Sequence, residues 1–360
     1  MRPTHARISL PALRANAALA QRLAPSSKLA AVVKANAYGH GAVRCAQALS
    51  EQADIFAVAC IDEALELRAA GVSQAILLLE GHFSVDELAL SEQQNFWLML
   101  HSDQQIQQLL AYSAKKPLTA WLKVDTGMHR LGLDPAAASN AYQMLSNCKH
   151  VQQPVVVASH FASADSENTD STNRQIHQLT SFNEDKKAPL SLSNSAGVLA
   201  HGSAHGDWIR PGIMLYGSSP LEYAQASASQ LRAVMSLHSE VIAIRNIAQG
   251  ECVGYAGSWC ASRPSRIATV AVGYGDGYPR NAPSGTPVLL NGQLMPLCGR
   301  VSMDMITVDV TDHSDAQLGS PVELWGDTLD VNKVAEQAGT IGYELLTRMP
   351  GRVPLQYVED

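Results

Sequence analysis

The chain has 360 residues, 46% hydrophobic and 16% charged, with a net charge of −7 and an isoelectric point near 5.9. That is enough apolar material for a large core, and enough chain for a barrel with an appendage. The acidic balance argues against nucleic acid or an anionic membrane as partner, and no apolar run approaches the roughly 20 residues a membrane span needs.

The charge-interrupted start MRPTHARISLPALRANAALAQRL has no signal-peptide core. Arg7 to Leu10 predicts a short strand, and Pro11 opens a helix running through Ala24. Leu29-Ala30-Ala31-Val32-Val33 is a continuous apolar run closed by Lys34 and the turn ANAYGHG, the mark of a strand covered on both faces. Apolar strand candidates recur at 55–59, 75–79, 96–100, 120–124, 155–158, 190–192 and 207–209, most of them separated by helical patterns such as DEALELRAAG and DQQIQQLLAYSA. Eight βα-like units predict a (β/α)8 TIM-type barrel, a doubly wound open sheet being the structural alternative. Near residue 225 the texture changes, and LEYAQASASQ is a candidate linker. Beyond it, β-rich segments alternate with glycine and proline turns. Asn291-Gly292 predicts a two-residue hairpin turn, and one helix around Val331–Ala338 closes the region. The predicted organisation is α/β: a barrel domain over 1–225, then a C-terminal mainly-β domain over 226–360. The six cysteines, at 45, 60, 148, 252, 260 and 298, form neither a CxxC pair nor a zinc spacing. They predict a reduced, cytoplasmic set and no metal site.

In such a barrel, chemistry collects at the C-terminal ends of the strands. Those ends carry Lys34; Lys123 with Asp125 and Arg130; His160; Asn194 and Ser195; and Arg210, Gly212 and Ile213. Each has an ordinary reading alone: a lysine reaching solvent, a core histidine, a helix N-cap, an arginine paired with an acid. Their joint placement on one rim predicts a single site. A lysine closing a buried strand is costly to desolvate unless paired or neutral, and one use for it is as a Schiff-base amine. Ser195-Ala196-Gly197 and Arg210-Pro211-Gly212-Ile213, after the seventh and eighth barrel strands, suit a phosphate. A phosphate beside a strand-one lysine predicts pyridoxal 5′-phosphate as cofactor.

The segments AVVKANAYGHG, KVDTGMHRLG, HFASAD, NSAG, RPGIMLYG, VGYAG, VGYGDGYPR, GRVSMD and YELLT run in the order found in bacterial alanine racemases, across essentially the whole chain. On these motifs the chain resembles that family. The resemblance implies a cytoplasmic, pyridoxal phosphate-dependent homodimer with shared active sites. Its reaction would be two-base racemisation of alanine, supplying D-alanine for peptidoglycan or degrading it. Carried over by motif, Lys34 would hold the cofactor and act as base on one face of the substrate. Tyr255, reaching into the partner's site, would be the base on the other. Arg210 would face the pyridine nitrogen, and His160 would link it to Tyr255. Tyr38, Asn194, Ser195, Gly212 and Ile213 would hold the cofactor. Arg130 would contact the ring oxygen or the substrate carboxylate. Lys123, carbamylated, would orient Arg130; the alternative is a solvent-facing lysine near Asp125. Met303 and Asp304 would approach the substrate carboxylate from the partner, while Asp165, Tyr274, Arg280 and Arg300 would line an approach corridor. Some relatives carry a phosphate-binding tyrosine just before the terminal RVP, where this chain has Gly351; one phosphate contact would then be missing or supplied by water.

A broader-specificity racemase of the same fold is the main alternative. A basic amino-acid decarboxylase would place a carboxylate, not Arg210, at the ring nitrogen. A non-catalytic cofactor carrier would lack the second domain and its tyrosine.

Overall fold

In the computed structural model, which describes residues 2–359, the apolar runs form strands with almost wholly buried side chains. After β1 (His5–Ser9) come β2 (Lys28–Val32), β3 (Ile55–Val58), β4 (Ala75–Leu78), β5 (Phe96–Leu100), β6 (Leu118–Lys123), β7 (Val151–Ala158), β8 (Leu190–Ser191) and β9 (Trp208–Ile209). β2 to β8 lie parallel in chain order, and β2 also pairs with β9, so the sheet curls into a barrel. Individual bonds cross the remaining seam between β8 and β9: Asp207 N donates to Leu190 O (2.9 Å), Arg210 N to Ser193 O (2.9 Å) and Ser191 Oγ to Trp208 O (2.9 Å). Leu29, Phe56, Leu77 and Trp121 are fully buried, as expected of strands covered on both faces.

The second sheet holds β10 (Met235–Ile247), β13 (Ser265–Val270), β14 (Pro287–Leu290), β15 (Gln293–Pro296), β16 (Ile306–Asp309), β17 (Pro321–Trp325) and β18 (Leu355–Val358), with β11 (Cys252–Val253) and β12 (Trp259–Cys260) as a separate hairpin. The predicted turn holds: Leu290 faces Gln293 across Asn291 (φ 49°) and Gly292 (φ 78°).

β1 belongs to this second sheet, antiparallel to β10 and parallel to β18, although the sequence places it at the head of the 1–225 barrel span. Its burial alternates: Ala6 and Ile8 are buried while Arg7 is exposed. A strand of period two suits a sheet with one covered face, and barrel closure by β9 leaves it no edge. The cysteine expectation is also corrected, because the hairpin brings Cys252 opposite Cys260 and a disulfide joins them; Cys45, Cys60, Cys148 and Cys298 are free. Eight residues of separation form no motif, and only the strand register brings the two together. Among the described residues, no helix is long and apolar enough to cross a membrane.

A short helix at Gly342–Thr347, absent from the sequence expectation, folds back onto the turn that follows β2. Gly39 permits this: its φ is 83°, and a Cβ there would lie 2.1 Å from Leu346 O. A side chain at 39 would both strain the backbone and push the helix away.

Candidate functional site

A cavity of about 500 Å3 opens at the C-terminal ends of the barrel strands. It gathers Lys34, Tyr38, Lys123, Arg130, His160, Asn194, Ser195, Arg210, Gly212 and Ile213. The sequence expectation puts all of these but Tyr38 on one rim, Tyr38 entering by motif; Asp125, expected on the same rim, does not line the cavity.

Lys34 leaves β2 and is followed by four non-glycine residues in the left-handed region: Ala35, Asn36, Ala37 and Tyr38, with φ of 51° to 54°. Left-handed helical backbone costs roughly 1–2 kcal/mol per L-residue, so the surroundings must hold it. Asn36 Oδ1 accepts from Ala42 N (2.8 Å), Gly41 N donates to Asn36 O (3.0 Å), and Glu63 Oε1 accepts from Ala35 N (2.7 Å). The turn places Lys34 and Tyr38 on the same cavity. The Tyr38 ring stacks on Tyr216 at 4.9 Å between centroids, and burial pushes its phenol up to about 12, keeping it a neutral donor. Its hydroxyl lies over Gly212, where a Cβ would meet it at 2.4 Å.

Around Gly212 the backbone is arranged as a cradle. Ser195 Oγ accepts from Gly212 N (2.9 Å) and Met214 N (3.2 Å), which leaves its own O–H as a donor. Asn194 Oδ1 caps Gly197 N at 3.0 Å. Tyr343 completes this wall, 6.1 Å from the Tyr38 ring. It lies in the YELLT segment, yet no local pattern shows that its helix returns to the barrel. Tyr343 thus gives the cavity a phenol that the sequence reading, looking beside RVP, does not assign; Gly351 itself is exposed. Leu79, Glu80, Met99 and Thr347 also line the cavity without a sequence signal.

The opposite end is cationic. Arg210 is 4% exposed. Its Nη1 donates to Ser191 Oγ (2.5 Å), and its Nη2 donates to Ser159 O (2.7 Å) and to His160 Nδ1 (3.4 Å). Burial lowers the guanidinium only to about 10, so it stays charged at neutral pH. His160 is held well below its ordinary value by burial and by Arg210, Lys123, Arg130 and Lys34. It is therefore neutral. Because an arginine can only donate, Nδ1 must accept, and the ring proton sits on Nε2. Lys123, 8% exposed, is pulled down to about 8 by burial and then by Arg210, Arg130 and Lys34. Glu80 is the one acid among the lining residues. The acidic molecule thus carries a locally positive, partly dry pocket suited to anions.

The structure does not bring Tyr255 into this cavity. It sits in the β11–β12 hairpin, 67% exposed, and Tyr274 and Met303 are 41% and 53% exposed. The Tyr274 and Met303 segments are one unit: Gly275 N donates to Met303 O (2.8 Å), Gly273 N to Asp276 Oδ2 (2.9 Å), and buried Asp276 pairs with Arg2 and Arg352. Arg352 also pairs with Asp304 at 2.7 Å. Arg280 and Arg300 are exposed on the same domain, whereas Asp165 lies on the barrel side near Tyr343.

Comparison with known proteins agrees with this two-part layout. The profile described as alanine racemase, N-terminal domain, matches residues 8–220, and that of the C-terminal domain matches residues 234–357. An alanine racemase from Chromohalobacter salexigens is 51% identical, covering 99% of this chain and 98% of that protein. A catabolic alanine racemase from Pseudomonas putida is 49% identical over the whole of both chains. The crystal structure of biosynthetic alanine racemase from Pseudomonas aeruginosa superposes with a TM-score of 0.96 at 49% identity, covering 99% of this chain and 100% of that one. That of alanine racemase from Bartonella henselae with covalently bound pyridoxal phosphate gives 0.90 at 32% identity, covering 99% and 100%. The chain belongs to the alanine racemase family.

Proposed function

We propose that this member of the alanine racemase family interconverts L- and D-alanine, with pyridoxal 5′-phosphate held on Lys34 and the partner subunit's Tyr255 completing each site. The observation that carries the reading is one cavity holding a lysine amine, a glycine-floored anion cradle and a neutral histidine bonded to a buried arginine.

The residues fit the cofactor. Its phosphate matches the Ser195 O–H, the Tyr38 and Tyr343 phenols and the bare backbone at Gly212, while Arg210 has donors left for the ring nitrogen. When bound, the cofactor supplies an electron sink that acidifies the substrate Cα–H. Everything else falls to this chain. Arg210, fixed in its charged form, does not hand a proton to the ring and so limits the sink. Arg130 meets the substrate carboxylate. Lys123, with an amine neutral in a good fraction near pH 8, adds CO2 to form a carbamate, releasing one proton and giving Arg130 an anionic partner.

Racemisation needs proton removal on one face of Cα and delivery on the other, which Lys34 and Tyr255 supply. The Nε2–H of His160 is the donor that steadies the oxygen of Tyr255 when it acts as base. Since Tyr255, Tyr274 and Met303 are exposed away from their own chain's cavity, a head-to-tail homodimer is the arrangement that joins both halves. We place the activity in the cytoplasm, in supply of D-alanine for peptidoglycan or in its breakdown.

The test is a coupled assay for D-alanine formed from L-alanine, with borohydride reduction and peptide mapping on the same protein. D-alanine formation and label on Lys34 are expected. A labelled peptide other than the one containing Lys34, or turnover confined to other amino acids, would overturn the reading.

A further inference from the structure

We propose that Glu63 is a positioning residue for Lys34, acting as a clamp that holds the strained turn after β2. This rests on Lys34 being the cofactor lysine, which the borohydride map tests separately.

Glu63 stands in the first turn of the helix Ile61–Ala69, half-buried. Its two carboxylate oxygens accept from different strand ends: Oε1 from Ala35 N at 2.7 Å and Oε2 from Ala59 N at 2.8 Å. The second bond is what a glutamate at the third position of a helix commonly does, reaching back to the chain that enters it. The first is not explained by the helix. Ala35 N is the N–H next after Lys34, beyond the ladder whose last bond on this strand is Val33 N to Ala57 O at 2.9 Å. One carboxylate therefore ties the exits of β2 and β3 together, at the residue where the backbone turns left-handed.

The chemistry demands a carboxylate. Both partners are N–H donors, so the bridging group must accept twice. A glutamine offers one acceptor and would turn its NH2 toward the other donor. Without the Oε1 bond, Ala35 has less to hold it at φ 51°, and Lys34 shares its peptide plane with that residue. Relaxation of Ala35 to a right-handed conformation would swing the amine away from Tyr38 and the Gly212 cradle. Strain of this kind persists only where the surroundings over-determine it.

The experiment compares Glu63→Gln, Ala35→Gly and the double variant. Glycine adopts the left-handed region without penalty, and the Ala35 side chain is exposed, so Ala35→Gly alone should be close to neutral. For Glu63→Gln, kcat should fall about tenfold with little change in KM, and the dissociation constant for pyridoxal phosphate titrated into the apoprotein should rise about tenfold. Adding Ala35→Gly should restore most of both losses, because the turn then needs less holding. Wild-type kcat and cofactor affinity in Glu63→Gln would overturn the proposal. So would a loss that Ala35→Gly leaves unrepaired, since that assigns Glu63 to the helix start alone. If Glu63→Gln does not fold, the double variant still decides: recovery of folded, cofactor-binding protein supports the clamp, and failure to recover contradicts it.

Discussion

The barrel rim and the exposed edge of the second sheet carry the two halves of the proposed chemistry, and they are built in opposite ways. On the rim, Arg210 and Lys123 are 4% and 8% exposed, and the guanidinium, His160 and the Ser195 hydroxyl have partners within the chain. On the second-domain edge, Tyr255, Tyr274 and Met303 project outward, held by backbone bonds and by the Asp276 ion pairs beneath them. One region is complete and preorganised. The other has a hydrogen-bonded base and an exposed face. On the proposed reading, that difference makes cofactor affinity a property of one chain and the second proton-transfer group a property of the assembly.

The sharpest way to separate the two regions is to remove one base from each. Lys34→Ala should lose racemisation by about 10⁴-fold or more, since it removes the covalent anchor and a base together. It should also lose retention of the cofactor on gel filtration; a yellow, active variant would break the assignment. Tyr255→Phe should lose about 10²–10⁴-fold yet bind pyridoxal phosphate as tightly as the parent. Exchange of the α-hydrogen with deuterated solvent should then be impaired more for one enantiomer than for the other.

Lys123 tests whether the rim carries charge at a cost that the outer edge does not. Its folded value of about 8 lies below the ordinary 10.5. The unfolded chain thus holds a proton that the folded chain has lost between those two values, and stability attributable to this group rises with pH through that window. Below about pH 8 the buried charge costs about 3 kcal/mol. In bicarbonate-free buffer, Lys123→Met should be the more stable protein at pH 7 by an amount of that order, with the advantage fading toward pH 10.5 in urea titrations. Parallel pH profiles for the two proteins would mean that Lys123 is not desolvated.

The smallest effect concerns the Cys252–Cys260 bridge of the hairpin that carries Tyr255. Reduction, or Cys252→Ser with Cys260→Ser, should lower kcat by a few-fold by loosening the hairpin. Cofactor affinity should not change, because no residue of the hairpin lines the cavity. A change in cofactor affinity would show that the regions are less separate than the structure implies.

Much of this was legible in the amino-acid order. The barrel strands announce themselves as apolar runs, and Lys34, His160, Ser195 and Arg210 fall where those runs end. What stayed hidden depends on distant parts of the chain meeting. Tyr343 reaches the cavity only because Gly39 lets a C-terminal helix lie against the β2 turn. β1 joins the second sheet through pairing with residues more than two hundred positions away. The Cys252–Cys260 pairing follows from hairpin register, and Glu63 gains its second partner from a neighbouring strand. In each case the residue type was visible, but the neighbour that gives it meaning was not.

The shared-site arrangement is the central claim, and mixing two inactive proteins tests it most directly. Lys34→Ala and Tyr255→Phe chains, co-refolded or co-expressed in equal amounts, form mixed dimers with one doubly damaged site and one intact site. The account predicts recovery of about a quarter of the parent rate, since half the dimers are mixed and each has one working site of two. Activity no higher than that of the two variants assayed apart, with mixed dimers verified by mass, would contradict it.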